Sequence, residues 1–297
     1  MTGKKTINNE DVILNSLFNT KILFLNILNK LTFSSVYIAI NSMLVIVFSS
    51  YLYSFEIKFE ILVTAFFTTF AAYSLNKITD RVEDSINSPE INSEKGISNK
   101  NGLLLVLLSF IFLCIFSRFE TMVIVSISVI ISVLYSVKFT RLFPRFKEVM
   151  GIKSILVALC WAFTGALLPI VGQSLDRFLV VLVFLYIFIQ LLVNTIICDI
   201  RDVEGDKVSG VKTIPIVLGV KKTKNLLLWI NSMLIPWLLF CQRNKYFITY
   251  LPALWGGLIY GYLLILAFSK KNQDRLSVVL LVDGEWIPIV FVMNMLR

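Results

Sequence analysis

From about residue 33 onward the chain alternates long apolar runs with short polar connections. Nine runs can be marked, at about 33–54, 60–77, 102–117, 120–137, 152–172, 177–198, 224–241, 247–268 and 276–296. Each is close to the roughly 17–25 residues that a membrane-crossing helix requires. Backbone polar groups have no water partner in lipid, so runs of this kind must be helices. The pattern predicts an all-α, multi-span membrane protein, with nine transmembrane helices in one bundle under a cytoplasmic-side polar cap. Residues 1–10 are polar and lack the short apolar core of a cleaved signal peptide. Residues 11–30 interleave Ile13, Leu14, Leu17, Phe18, Leu25, Ile27 and Leu28 with Asn, Asp and Lys, the pattern of an interfacial helix. The expected division is a polar N-terminus with an interfacial helix over 1–30, then a single membrane domain over 31–297.

Composition agrees with the pattern. A hydrophobic content of 57% and a mean hydropathy of +0.81 exceed what a soluble core could bury, so membrane lipids are the expected surroundings. The net charge of +9 has its own explanation. With nine spans, the N-terminal segment and the connections after spans 2, 4, 6 and 8 share one side and hold 22 of the 28 basic residues, leaving six on the other. Such a bias places the N-terminus and these connections in the cytoplasm and supports an odd span count; the plasma membrane of a prokaryote is the expected location. Basic residues that flank spans answer to topology and anionic headgroups, so no nucleic-acid partner is expected. The chain contains no histidine, which excludes Ser-His-Asp and Cys-His catalysis and histidine metal sites. Cys114, Cys160, Cys198 and Cys241 are isolated in or beside apolar runs and form no CxxC, so core packing is the expected role.

Carboxylates remain to carry chemistry, and they are clustered. Asn76, Asp80 and Asp84 recur every four residues at the end of the second run, and Asp199, Asp202 and Asp206 recur at i, i+3 and i+7 at the end of the sixth. Each spacing puts a trio on one helix face. Asp80 and Asp84 precede Asp202 and Asp206 by 122 residues each, as duplication of half the chain would produce. Acids sharing a face repel one another and are poorly explained by helix stability, whereas oxygen-rich clusters are what hard cations such as Mg2+ take as ligands. Two clusters facing each other would hold a diphosphate through Mg2+, with Asn76, Asp80, Asp84, Asp202 and Asp206 as metal ligands. Arg81 and Arg201 are interleaved with the acids, and Lys138, Arg141, Arg145, Lys147 and Lys153 crowd the connection between spans 4 and 5. Of these, Arg81, Lys138, Arg141, Lys153 and Arg201 are the expected diphosphate-binding set.

These residues resemble the UbiA-type intramembrane prenyltransferases. The likeness lies in an NxxxDxxxD motif (Asn76, Asp80, Asp84), a DxxDxxxD motif (Asp199, Asp202, Asp206) and the following Gly210-Val-Lys-Thr213-Ile-Pro215-Ile-Val-Leu-Gly219, and it covers the chain from about residue 30. The resemblance implies a transferase that binds an isoprenoid diphosphate through Mg2+, ionises it to an allylic cation and transfers the prenyl group to a lipophilic acceptor in the membrane. The acceptor classes are an aromatic ring, a quinone precursor or a prenyl-glycerol lipid. All six motif residues then count as catalytic. The sequence departs from the family after Pro89, where Glu90, Ile91 and Asn92 leave Lys95 as the nearest cation. It departs again at Tyr135, four residues after which comes Phe139, with Lys138 one place early. Two other readings are a terpene cyclase, which shares the ionisation but has no acceptor, and an ion-coupled transporter, against which stands the position of both trios at helix ends.

The last run contains Asp283-Gly284-Glu285-Trp286 with Pro288 beyond. As one continuous span it would carry two acids near mid-membrane, where ionisable groups are costly and functional, and Asp283 and Glu285 are therefore candidate acceptor-binding residues. An irregular final span would instead leave them in water.

Overall fold

The structure is a computed structural model that describes residues 35–80, 118–136, 149, 151–270 and 273–297, with single helical positions between 86 and 115 and backbone alone over 133–136. The expected interfacial helix and most of the run at 102–117 lie outside the described residues. Among the described residues all regular structure is helical: α1 Ser35–Leu52, α2 Phe59–Thr79, α3 Phe119–Ser136, α4 Ile152–Leu167, α5 Arg177–Arg201, α6 Val203–Val208, α7 Ile214–Ser232, α8 Leu234–Arg243, α9 Leu251–Phe268 and α10 Trp286–Leu296. Seven segments within this set are long and apolar enough to cross a membrane, while Phe119–Ser132 is apolar but shorter.

The helices close into a ring. Each of α1 to α5 packs on the next, α5 packs on α7, α7 on α9, α9 on α10, and α10 returns to α1; α1 also meets α4 inside the ring. Close approach inside it depends on small residues, as is usual where lipid supplies no hydrophobic drive between helices. At Gly165 of α4 an added Cβ would run into Val45 of α1 and Ile187 of α5. The core beside this contact is aromatic, with Phe48 stacked on Tyr186 at 5.4 Å and edge-on to the fully buried Trp286 at 4.9 Å.

Local sequence sets the helix ends. Asp176 caps α5 by accepting from the Phe178 amide at 3.0 Å. Pro215 sits in the first turn of α7, which is kinked where Gly219 adopts φ 75°. The expected run at 224–241 is thus the latter part of a longer element, Ile214–Arg243.

The final span is irregular. A turn at Arg275–Ser277 runs into a π-helical segment, Val278–Asp283, and the α-helix resumes only at Trp286. Three successive carbonyls of the π segment accept from side chains of three different helices. Tyr37 Oη of α1 donates to Leu280 at 3.1 Å, Tyr260 Oη of α9 to Leu281 at 3.0 Å, and Asn194 Nδ2 of α5 to Val282 at 2.6 Å. Gly284 follows where no side chain fits, because a Cβ there would collide with the Leu280 carbonyl and the Tyr37 hydroxyl.

Candidate active site

The first motif begins on α2 but does not stay on it. The helix stops at Thr79, and Asp80 is its C-cap, with its amide on the Asn76 carbonyl at 2.9 Å and its Oδ1 accepting from Thr79 Oγ1 at 3.1 Å. Asp80 is buried. In the second motif α5 stops at Arg201, Asp202 caps it, and Asp206 belongs to α6. The second motif therefore runs across two helices, and Asp84 of the first lies outside the described residues. Acids at a helix C-terminus oppose the macrodipole and call for partners.

Those partners are cations. Lys153, in the first turn of α4, places Nζ 2.9 and 2.8 Å from the two oxygens of Asp206 and 3.1 Å from Asp199 Oδ1. The neighbouring Ser154 hydroxyl donates to the other oxygen of Asp199. Asp202 takes the Arg201 guanidinium through Nε at 2.9 Å and Nη2 at 2.7 Å, with Arg275 at 3.8 Å. Burial disfavours a charge on Asp202, yet the adjacent Arg201 outweighs it and holds the carboxyl below the usual range. Burial pushes the Asp206 carboxyl up to about 7 even with Lys153 on both oxygens. Asp283 joins this group, its Oδ1 accepting from Cys198 Sγ at 3.6 Å.

A cavity of about 140 Å3 opens between α1, α2, α3 and α4. On α2 it is lined by Thr68, Thr69, Ala72, Tyr73 and Asn76, and on α4 by Leu156, Val157, Cys160, Trp161, Thr164 and Gly165. Both lists are helical stripes, and both end in site residues: Asp80 continues the α2 stripe one turn beyond Asn76, and Lys153 continues the α4 stripe one turn before Val157. The cavity is mostly apolar, and Trp161 Nε1 donates to the Tyr73 hydroxyl at 3.2 Å one turn below Asn76.

The structure thus gathers Asp199, Asp206 and Lys153 into one group, pairs Asp202 with Arg201 and Arg275, sets Asp283 against Cys198 one turn earlier on α5, and sets Asn76 and Asp80 at the cavity rim. Arg81, Asp84, Lys138 and Arg141 lie outside the described residues. Glu285 is 2% exposed and lies within the bundle, Asp283 is half-buried, and neither lines the cavity. Sequence reasoning missed Ser154, Arg275, Tyr73 and Trp161, and it assigned Cys198 and Cys160 to packing alone. Only Ser154, next to Lys153, carried a sequence signal.

Among the described residues no three acids converge on one cation position. The donor set nevertheless fits a hard divalent ion, because Asn76, Asp80, Asp202 and Asp206 offer oxygen ligands only.

Comparisons with known proteins bear on the fold and the family. Digeranylgeranylglyceryl phosphate synthase of Haloquadratum walsbyi is 27% identical over 195 residues, which span 63% of this chain and 66% of that protein. The synthase of the same description from Natronomonas pharaonis is 25% identical over 195 residues, spanning 63% and 68%. Among solved structures, a UbiA homolog from Archaeoglobus fulgidus bound to GPP and Mg2+ shares the fold with a TM-score of 0.64 at 15% identity, covering 88% of this chain and 96% of that one. A structure of digeranylgeranylglyceryl phosphate synthase does so with a TM-score of 0.58 at 19% identity, with the same coverage. The UbiA prenyltransferase family model matches residues 42–282, a stretch that contains both acidic motifs and the cavity, and the chain, an integral membrane protein, belongs to that family.

Proposed function

We propose that the chain transfers a prenyl group from an isoprenoid diphosphate to the hydroxyl of a glycerol-phosphate lipid, with Mg2+ at the acidic rim. The observation that carries this reading is the run of two cavity stripes, on α2 and α4, into Asn76, Asp80 and Lys153. A ligand with a greasy tail and an anionic head matches that polarity. The acceptor class follows the two archaeal synthases that the chain resembles.

Asn76, Asp80, Asp202 and Asp206, together with Asp84, would hold the metal, which when bound neutralises the diphosphate and the charge that builds as it leaves. Lys153 and Arg201 donate to the departing oxygens from the same side. The C–O bond breaks with its electron pair on the diphosphate, and the allylic cation is left in the cavity, where the faces of Tyr73 and Trp161 shield it from water. The acceptor oxygen then attacks carbon and loses its proton to the released diphosphate. The positive-inside count puts this rim on the cytoplasmic side of the membrane.

The test is mass spectrometry of products from membranes containing the chain, fed labelled prenyl diphosphates with a prenyl-glycerol phosphate, an aromatic hydroxy acid, or no acceptor. A dialkyl glycerol phosphate is the expected product. A prenylated ring would move the acceptor class, and a hydrocarbon formed from the diphosphate alone would replace the transferase by a cyclase.

A further inference from the structure

Two acids at the rim have no place in the metal set just given, Asp199 and Asp283, and each stands beside a cation that another acid now holds. Lys153 shows the pattern openly, because one ammonium spans Asp206 and Asp199. The Arg201 guanidinium is committed to Asp202 through two nitrogens, and Asp283 touches Cys198, which is one turn before Asp202 on α5. The backbone holds Asp283 in that position by an uncommon device. A π-helical turn breaks the regular ladder, its carbonyls at 280, 281 and 282 are taken up by Tyr37, Tyr260 and Asn194, and Gly284 lets the chain pass where a Cβ would collide. The turn that carries this half-buried carboxyl is thus held by three helices, α1, α5 and α9.

Resting on the proposed metal-dependent reading, we propose that Asp283 is a positioning residue that receives the Arg201 guanidinium when a divalent cation claims Asp202. Asp199 retains Lys153 in the same way when the cation claims Asp206. Both cations then stay at the rim, paired and free of the metal ligands, rather than competing with the metal or being left without a counter-charge.

The test uses the full chain in detergent and Mn2+ in place of Mg2+, with free Mn2+ read by electron paramagnetic resonance. Asp283→Asn should weaken Mn2+ binding about tenfold, the loss of one charge-assisted hydrogen bond, while Asp283→Glu should stay within about twofold of the parent. In an Arg201→Gln background, where no guanidinium needs a second acid, Asp283→Asn should cost less than about twofold. An equal cost in both backgrounds would show Asp283 acting as a bare negative charge and would overturn the proposal, as would no cost in either. An arm that keeps Asp283 and Arg201 intact guards against variants that do not fold: in a chain whose other cysteines are alanine, the infrared S–H stretch of Cys198 should shift on addition of Mg2+, and a band that stays in place overturns the proposal. If the parent binds no Mn2+ at all, the metal-dependent reading fails together with this one; if the parent binds and the cycle shows no coupling, only the role of Asp283 fails.

Discussion

The ammonium of Lys153 reaches both carboxylate oxygens of Asp206, at 2.9 and 2.8 Å, across 53 residues of chain. Lys153→Met should abolish transfer and also destabilise the fold by about 3 kcal/mol, because a buried acid is left without its partner. Lys153→Met combined with Asp206→Asn should regain most of the unfolding temperature and none of the activity. Thermal unfolding in detergent beside product analysis checks both halves, and full recovery of activity would remove Lys153 from the site.

The oxygen donors at the rim should be individually required. Asp80→Ala, Asp202→Ala and Asp206→Ala are each expected to lower turnover by at least about a hundredfold, a loss larger than any fall in unfolding temperature from removing the acid accounts for. Asn76→Asp should keep more activity than Asn76→Ala because it preserves an oxygen ligand. Activity that persists in EDTA would contradict the whole set.

Cavity shape should set donor length. Ala72 lines the cavity on α2, one turn below Asn76, and Ala72→Phe would fill the space there. The expected result is a shift toward shorter prenyl diphosphates, with KM for long donors rising about tenfold or more as their buried methylenes are excluded. An unchanged preference across a labelled donor series would mean that the tail runs elsewhere.

The π segment gives a structural prediction. Gly284→Ala should cost several kcal/mol, since the added carbon meets a backbone carbonyl that cannot step aside. Tyr37→Phe should rescue it only in part, because that change removes the hydroxyl collision and leaves the one with Leu280. The unfolding temperatures of the two single variants and the double variant decide the point.

What could be read from residues alone follows a physical division. Apolar length is written locally, so the described spans agree with the runs, and the one over 224–241 is preceded by a short helical stretch from Ile214 that a non-helical Gly219 sets off from it. The acids of the two motifs were legible as a chemical set. Their geometry was not, because the i, i+3, i+7 rule assumes an unbroken helix, and Asp80 and Asp202 are the residues at which α2 and α5 end. Of the two readings of the final run, one continuous span or an irregular one, the structure has the irregular one. The segment is irregular, yet Tyr37, Tyr260 and Asn194, distant in sequence, satisfy its carbonyls inside the protein.

The closure of the ring has a consequence for how the protein is made. Tyr37 and Tyr51 of α1 give their hydroxyls to Leu280 and Asn294, partners that lie 243 residues downstream in both cases. During synthesis the first described helix must therefore enter the bilayer with two hydroxyls that find their native acceptors only after the last helix has been translated. A ribosome stalled before residue 280 leaves an exposed polar seam on α1, a mark by which a membrane quality-control protease could tell an unfinished chain from a finished one.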